Sequence, residues 1–290
     1  MSYQSKITKA IIPVAGLGVR WLPISKEIPK EMLPIIDQPV IQHIVEEAVQ
    51  AGIKEIVLIT SRPKREIEDY FDRNFELEYY LQRKKKIKLG KQIKSISRLA
   101  KFVYLRQPEP AGAGDAILLA KHLIGNESCA ILFGDDIINN QPNCLQQLLS
   151  VYQQYHSSVI AVQHVAKKEI SHYGIIKGKK IKPNLYQLSR IIEKPSIKQA
   201  PSNLGVVGRY IVTPLVIELL AKFKSQQKDE FGFTNALQKT IAYQPVYACQ
   251  FTGKRFDCGS KLGWLMANCH FALQRSEMKQ SFKQYLKRIL

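Results

Sequence analysis

An apolar run, Ala10-Ile11-Ile12-Pro13-Val14, passes without a break into Ala15-Gly16-Leu17-Gly18-Val19-Arg20, and Pro29-Lys30-Glu31-Met32-Leu33-Pro34 follows shortly after. That order predicts a buried strand, a glycine loop and a lysine. Glycines at the end of a buried strand let the backbone approach an anion closely, because glycine accepts positive φ and carries no Cβ. Arg20 and Lys30 add two fixed positive charges, which suits a ligand with several negative phosphate oxygens. The spacing departs from the two better-known glycine loops. A dinucleotide fold wants a third glycine where Trp21 stands, and a P-loop wants Gly-Lys-Ser/Thr after four variable residues.

Downstream, apolar runs alternate with amphipathic stretches in the manner of βαβ units. Strands are predicted over 10–14, 55–59, 102–105, 130–133 and 159–165, with helices over 41–51, 64–75, 113–123 and 145–155 between them. Such alternation implies a mostly parallel sheet with right-handed crossovers and ligands at the carboxyl ends of its strands. The pattern then shifts to strands over 174–176, 188–192 and 205–212, a helix over 215–223 and a helical C-terminus. A chain of 290 residues can bury one large core. With no internal repeat or convincing linker, the expectation is one domain over 1–290.

No apolar run approaches the roughly 20 residues of a membrane span, and the polar start lacks a secretion signal. The expected location is therefore the cytoplasm. Cys129, Cys144, Cys249, Cys258 and Cys269 are odd in number and lack metal-ligand spacing, so reduced thiols are expected. Net charge is the oddity: 43 Lys and Arg against 24 Asp and Glu give +19, a balance that raises the question of nucleic acid. Much of it lies in Arg83-Lys84-Lys85-Lys86-Ile87-Lys88 and onward through Lys91, Lys94, Arg98 and Lys101, with a second tract at Lys177, Lys179, Lys180 and Lys182. No aromatic-interleaved recognition motif accompanies these lysines. They read as a solvated face that also attracts anionic substrates, and nucleic acid is not an expected partner.

Gly-x-Gly-Thr-Arg followed by Pro-Lys-Glu-Met-Leu-Pro is the nucleotidyltransferase pattern, and here, with Val19 at the threonine position, the chain resembles the bacterial UTP–glucose-1-phosphate uridylyltransferases, relatives of the other sugar-nucleotide pyrophosphorylases. The resemblance runs on through Phe75-Glu76-Leu77-Glu78, Ile192-Glu193-Lys194-Pro195 and Val207-Gly208-Arg209-Tyr210 to Asp257-Cys258-Gly259. It implies an α/β fold: a three-layer, Rossmann-like arrangement with a nucleotide-binding half over about 8–170, a sugar-phosphate half over about 171–260 and a helical segment over about 261–290.

The resemblance also assigns roles. Ala15, Gly16 and Gly18 would hold the nucleotide, and Gln107 and Gly112, in Gln107-Pro108-Glu109-Pro110-Ala111-Gly112-Ala113-Gly114, would meet the uracil. An amide both donates and accepts, which suits the N3–H and carbonyl of that base. Asp135, in Gly134-Asp135-Asp136, and Asp257 would coordinate Mg²⁺, a hard ion usually held by one or two carboxylates with substrate phosphates. Asp136 would support Asp135 or cap a helix. Glu193, Gly174 and Val206 would hold the glucose ring, and Lys194 its phosphate. Arg20, Lys30 and Lys194 would be the catalytic cations for a direct in-line displacement, with UTP and glucose 1-phosphate as substrates and a homo-oligomer, dimer or tetramer, as the assembly. Trp264, Leu265 and Tyr285 are candidates for its interface.

Three departures keep other readings open. Val19 replaces the family's loop threonine, and Gly232 and Asn235, in Asp229-Glu230-Phe231-Gly232-Phe233-Thr234-Asn235-Ala236, replace glutamine and aspartate. They motivate a catalytically weak homologue that modulates an active partner. Thymidylyl transfer to a hexose 1-phosphate is the nearest enzymatic alternative, since uracil and thymine differ by a methyl group.

Overall fold

In the computed structural model, which describes residues 6–224 and 232–289, the predicted first strand is β1 (Lys9–Pro13). Two short strands, β2 (Pro34–Ile35) and β3 (Gln38–Pro39), follow it, then β4 (Glu55–Thr60), β5 (Lys101–Arg106), β6 (Cys129–Leu132) and β7 (Asp136–Asn139). The later strands are β8 (Val159–His164), β9 (Ile175–Lys182), β10 (Leu185–Ile192), β11 (Leu204–Val212), β12 (Tyr247–Gln250) and β13 (Lys254–Asp257). Nine of these form one sheet in the order β5-β4-β1-β6-β11-β8-β12-β10-β9. Only β11 and β10 run against the other seven, so the sheet is mostly parallel.

Alternation along β1 explains the layers. Ala10 and Ile12 join a core with α1 (Val40–Gln50), while Ile11, pointing the opposite way, joins the core on the other face. α2 (Arg65–Phe71) adds Ile67 and Phe71 to the core under α1, and α3 (Phe75–Arg83) and α4 (Ile87–Ile96) follow it in the chain. The opposite face is covered by α5 (Ala113–Leu119) and α6 (Lys121–Ile124), while α7 (Cys144–Tyr155) lies beside α1. α8 (Pro214–Lys224) and α9 (Phe233–Thr240) complete the second layer, and α10 (Lys261–Gln274) and α11 (Ser276–Ile289) close the chain. Strands buried on both faces read as continuous apolar runs, which is why 10–14 and 55–59 were legible.

Three differences from the sequence reading have physical causes. The stretch expected as one helix over 64–75 breaks at Asp72, whose extended backbone ends α2. The basic tract is not a featureless surface run: it forms α4 and its approach, stacked on α3. Its apolar residues Leu89, Ile93 and Ile96 recur at helical spacing but are at most half-buried, and α4 has no buried residue. Likewise, β9 and β10 extend well beyond the expected 174–176 and 188–192, because an edge hairpin needs only one apolar face and its outer residues, Lys177 to Lys180, stay exposed.

Candidate active site

The predicted phosphate loop leaves β1 at the carboxyl end of the sheet. Gly18 turns it with φ of 67°, and its carbonyl accepts from Trp21 N–H and from Ser25 Oγ at 2.9 Å. A side chain at Gly16 would meet no protein atom within 4 Å, so the space beside it is open to a ligand. That space is a cavity of about 320 Å³ lined by Ala15, Gly16, Lys30, Gln107, Gly112 and Asp135, together with Glu31, Phe133 and neighbouring loop residues. Residues beyond the carboxyl ends of three strands, β1, β5 and β6, therefore converge with Lys30 and Glu31. Gly18 turns the loop without lining this cavity, and Arg20 stands at its side near Asp257, with 3.9 Å between guanidinium and carboxylate.

Two ion pairs organise the floor. Lys30 Nζ donates to Asp135 Oδ2 at 2.5 Å. Burial works against the ammonium, but the Asp135 and Glu31 carboxylates outweigh it and raise the Lys30 pKa. Burial likewise opposes ionisation of Asp135, yet Lys30 holds its pKa below the usual aspartate value. Next to them Lys64 donates to Glu31 at 2.7 Å, with both side chains almost fully buried. Here burial prevails, pushing Glu31 up and Lys64 down. The Glu31–Lys64 pair was not anticipated; two charged residues far apart in sequence give no sign that they will be buried together.

Gln107 follows β5 and is buried. Its Nε2 already donates to Asp115 Oδ2 at 2.7 Å and to the Gly112 carbonyl at 3.2 Å. The donor half expected to read a base carbonyl is thus engaged within the loop, and the amide oxygen is the half left to accept. Gly112 sits at φ of 90°, a conformation that its lack of Cβ permits.

A second cavity of about 280 Å³ adjoins the first, sharing Ala113 and Phe133, and is lined by Glu193, Lys194, Gly232, Phe233, Thr234 and Asn235. Gly174 and Val206 belong to the same cluster. A Cβ on Gly174 would lie 3.1 Å from Glu193 Oε2 and 3.6 Å from a Val206 methyl. The Gly174 carbonyl accepts from Val206 N–H at 2.8 Å. Lys194 adopts φ of 43°, an uncommon conformation for a residue with a side chain, of the kind that concentrates at functional sites. Gly232 and Asn235, the two departures, thus face this second cavity. Asp229, Glu230 and Phe231 lie outside the described residues.

The aspartates meet through an unexpected ribbon. β13 pairs antiparallel with β7 in a register that sets Asp257 opposite Asp136. Asp136 is neither a helix cap nor free: its carboxylate accepts from Arg255 Nε at 2.7 Å. Burial, then the nearby Asp136 and Asp135, raise the Asp257 pKa. Among the described residues no three His, Cys, Asp or Glu side chains form a ready-made metal cage. The donor set fits a magnesium ion all the same, because two carboxylates with substrate phosphates suffice. A Cβ on Gly259 would fall 2.8 Å from Asp135 Oδ2, 2.9 Å from Asp257 Oδ1 and 2.8 Å from an Arg20 nitrogen. Gly259 is the missing side chain that leaves room between the carboxylates, and crowding of two acids there favours a cation. The glycine stands in the quoted Asp257-Cys258-Gly259 motif, but its role needs the three-dimensional neighbours.

Arg209 turns out to serve the frame. It is fully buried, donates to Glu47 at 2.7 Å, and reaches the Asp136 carbonyl at 2.6 Å. Trp264 is also engaged within the chain, donating to the Pro34 carbonyl and packing edge-on against Trp21, while Leu265 and Tyr285 are exposed. The five cysteines are free.

This geometry has clear relatives. The family model described as nucleotidyl transferase matches residues 9–272. The chain belongs to that family. It is 44% identical over 287 residues to a UTP–glucose-1-phosphate uridylyltransferase of Bacillus subtilis (strain 168), covering 99% of this chain and 98% of the relative. A UTP-bound UGPase from Acinetobacter baumannii superposes with a TM-score of 0.91 at 39% identity, covering 98% of this chain and all of the other. A UDP-glucose pyrophosphorylase complexed with UDP-glucose gives 0.84 at 41% identity, over 93% of this chain and all of that one. The expected fold and family are borne out. No helix among the described residues is long and apolar enough to cross a membrane.

Proposed function

We propose that this nucleotidyltransferase moves the uridylyl group of UTP to glucose 1-phosphate, releasing pyrophosphate and forming UDP-glucose. The observation that carries this reading is the pair of adjoining cavities, one holding the glycine loops with Lys30 and Asp135, the other Glu193 and Lys194. A phosphate oxygen of the sugar phosphate attacks the α-phosphorus in line; the new P–O bond forms as the α–β bridge breaks, and pyrophosphate leaves carrying the electron pair. The attacking oxygen is already anionic at neutral pH, so the protein's work is positioning and charge compensation.

Arg20 and the loop amides around Gly16 and Gly18 face the leaving phosphates. Lys30 serves the α-phosphate, and Lys194 neutralises the incoming sugar phosphate. Gln107 and Gly112 hold the base, with Gln107 accepting through its amide oxygen. Glu193 orients the sugar hydroxyls, helped by Gly174 and Val206. Asp135 and Asp257 would hold Mg²⁺, which when bound supplies positive charge to the phosphates. Lys30 donates to Asp135, and the triphosphate offers that ammonium a second partner.

The enzyme works in the cytoplasm on this reading, consistent with five free thiols. It works as a homo-oligomer, for which exposed Leu262, Leu265 and Met266 on α10 and Tyr285 on α11 offer an apolar surface. The chain forms one domain, since the nine-stranded sheet runs through both halves of the site.

The decisive experiment is pyrophosphate release from glucose 1-phosphate and Mg²⁺ with UTP and dTTP in parallel, using Asp135→Ala as control. Fast release with UTP that the control loses is expected. Release confined to dTTP replaces the base assignment, and no release despite tight nucleotide binding turns the chain into the modulatory homologue that Val19, Gly232 and Asn235 suggested.

A further inference from the structure

One buried guanidinium that no motif had singled out bonds to the chain neighbours of Asp135 and of Gly174. Arg255 is on β13, two residues before Asp257, and alternation along a strand sends both side chains to one side. Its Nε donates to Asp136 Oδ1 at 2.7 Å and its Nη1 to the Tyr173 hydroxyl at 2.9 Å. The guanidinium also lies over the Tyr173 ring, 5.3 Å from the centroid. Both charged side chains are well buried, at 11% exposure for Arg255 and 8% for Asp136.

What these partners do next gives the arrangement direction. Asp136 follows Asp135 directly in the chain, and its carbonyl is fixed by the buried Arg209 at 2.6 Å. Tyr173 precedes Gly174 directly, and its carbonyl accepts from the Lys194 amide at 3.1 Å. One side of the Arg255 fork therefore grips the loop that carries the metal-site carboxylate. The other side grips the residue that anchors Lys194 and Gly174 at the sugar cavity. No other described side chain bonds to both loops. A planar guanidinium with donors at fixed angles sets a distance and an orientation that a lysine ammonium would leave loose.

Resting on the uridylyl-transfer reading, we propose that Arg255 is a positioning residue for sugar-phosphate binding, setting the spacing between the Asp135 loop and the Tyr173–Lys194 segment through Asp136 and the Tyr173 hydroxyl. A purely structural ion pair would affect folding and both substrates alike. A spacer between the half-sites instead affects ligands that span them and spares a nucleotide held on one side.

The test compares Arg255→Lys and Tyr173→Phe with the wild-type chain in three measurements: affinity for UTP and for UDP-glucose by calorimetry, kcat and KM for glucose 1-phosphate, and melting temperature. Arg255→Lys is expected to lower kcat/KM for glucose 1-phosphate by about 10–100-fold, the usual cost of losing a partner that orients a metal-site carboxylate. Its UDP-glucose affinity falls in step, while UTP affinity measured without Mg²⁺ stays within about twofold. Tyr173→Phe removes one hydrogen bond, keeps the ring, and lowers the same parameters by about threefold to tenfold. It carries the test alone if the lysine variant fails to fold. Equal losses for UTP and UDP-glucose, or wild-type kcat/KM in a folded Tyr173→Phe, overturn the proposal. If the wild-type chain binds UDP-glucose but releases no pyrophosphate, uridylyl transfer falls, and the positioning role is then decided by the two affinities.

Discussion

The lysines of the active site and those of the α3–α4 hairpin are the same side chain in opposite settings. Lys64 is buried and Lys30 partly buried, each against a carboxylate, at 2.7 and 2.5 Å. Residues 79–108 carry ten Lys and Arg and no Asp or Glu, more than half of the net charge of +19, yet α4 buries no residue. An exposed cation is stabilised by water and screened by salt, so its number contributes little to structure or chemistry. A buried cation is held by its partner, and its removal leaves a carboxylate without compensation. In this molecule position, not abundance, separates the working charges from the solvated ones.

The largest break in that contrast is expected from the frame. Arg209→Met leaves Glu47 buried without its partner and frees the Asp136 carbonyl, and should cost about 3–5 kcal/mol of stability. A melting curve checks it; a change below about 1 kcal/mol would place Arg209 with the hairpin lysines. Next comes Lys30→Gln, which removes the cation at the α-phosphate and should lower kcat by about 10²–10³-fold in a protein that still folds. Steady-state kinetics at saturating UTP measures this, and a loss under about tenfold would take Lys30 out of the catalytic set.

The smallest effect sharpens the contrast from the other side. Lys85, Lys88 and Lys91 are all exposed, and changing the three to Gln should alter stability by no more than about 0.5 kcal/mol each and leave turnover unchanged. Comparing kcat/KM at low and high salt isolates any steering of anionic substrates. A drop at low salt alone assigns the tract to encounter, and a drop at both assigns it to the site.

Much of this was legible beforehand, for identifiable reasons. β1 and β4 are buried on both faces and so appear as unbroken apolar runs, and Gly16 and Gly18 follow at once in the chain. Gln107 and Asp135 sit directly beyond strand ends, where an α/β sheet gathers its ligands. Arg209 was quoted within a family motif without a role, and its burial in the core shows only in the fold. The α3–α4 hairpin was missed because lysines interleave the helical spacing of Leu89, Ile93 and Ile96, and a dense run of charge reads as a solvated surface.

The sequence by itself determined the alternating strands and helices, the phosphate loop and the supply of cations and acids at strand ends, because these are local properties of neighbouring residues. Only the tertiary structure decided that Asp257 lies opposite Asp136, that Gly259 leaves the gap between Asp135 and Asp257, and that Arg255 joins Asp136 to Tyr173. Those depend on the register between β7 and β13 and on how deeply each charge is buried. Both are set by the packing of residues far apart in the chain, which no local pattern encodes.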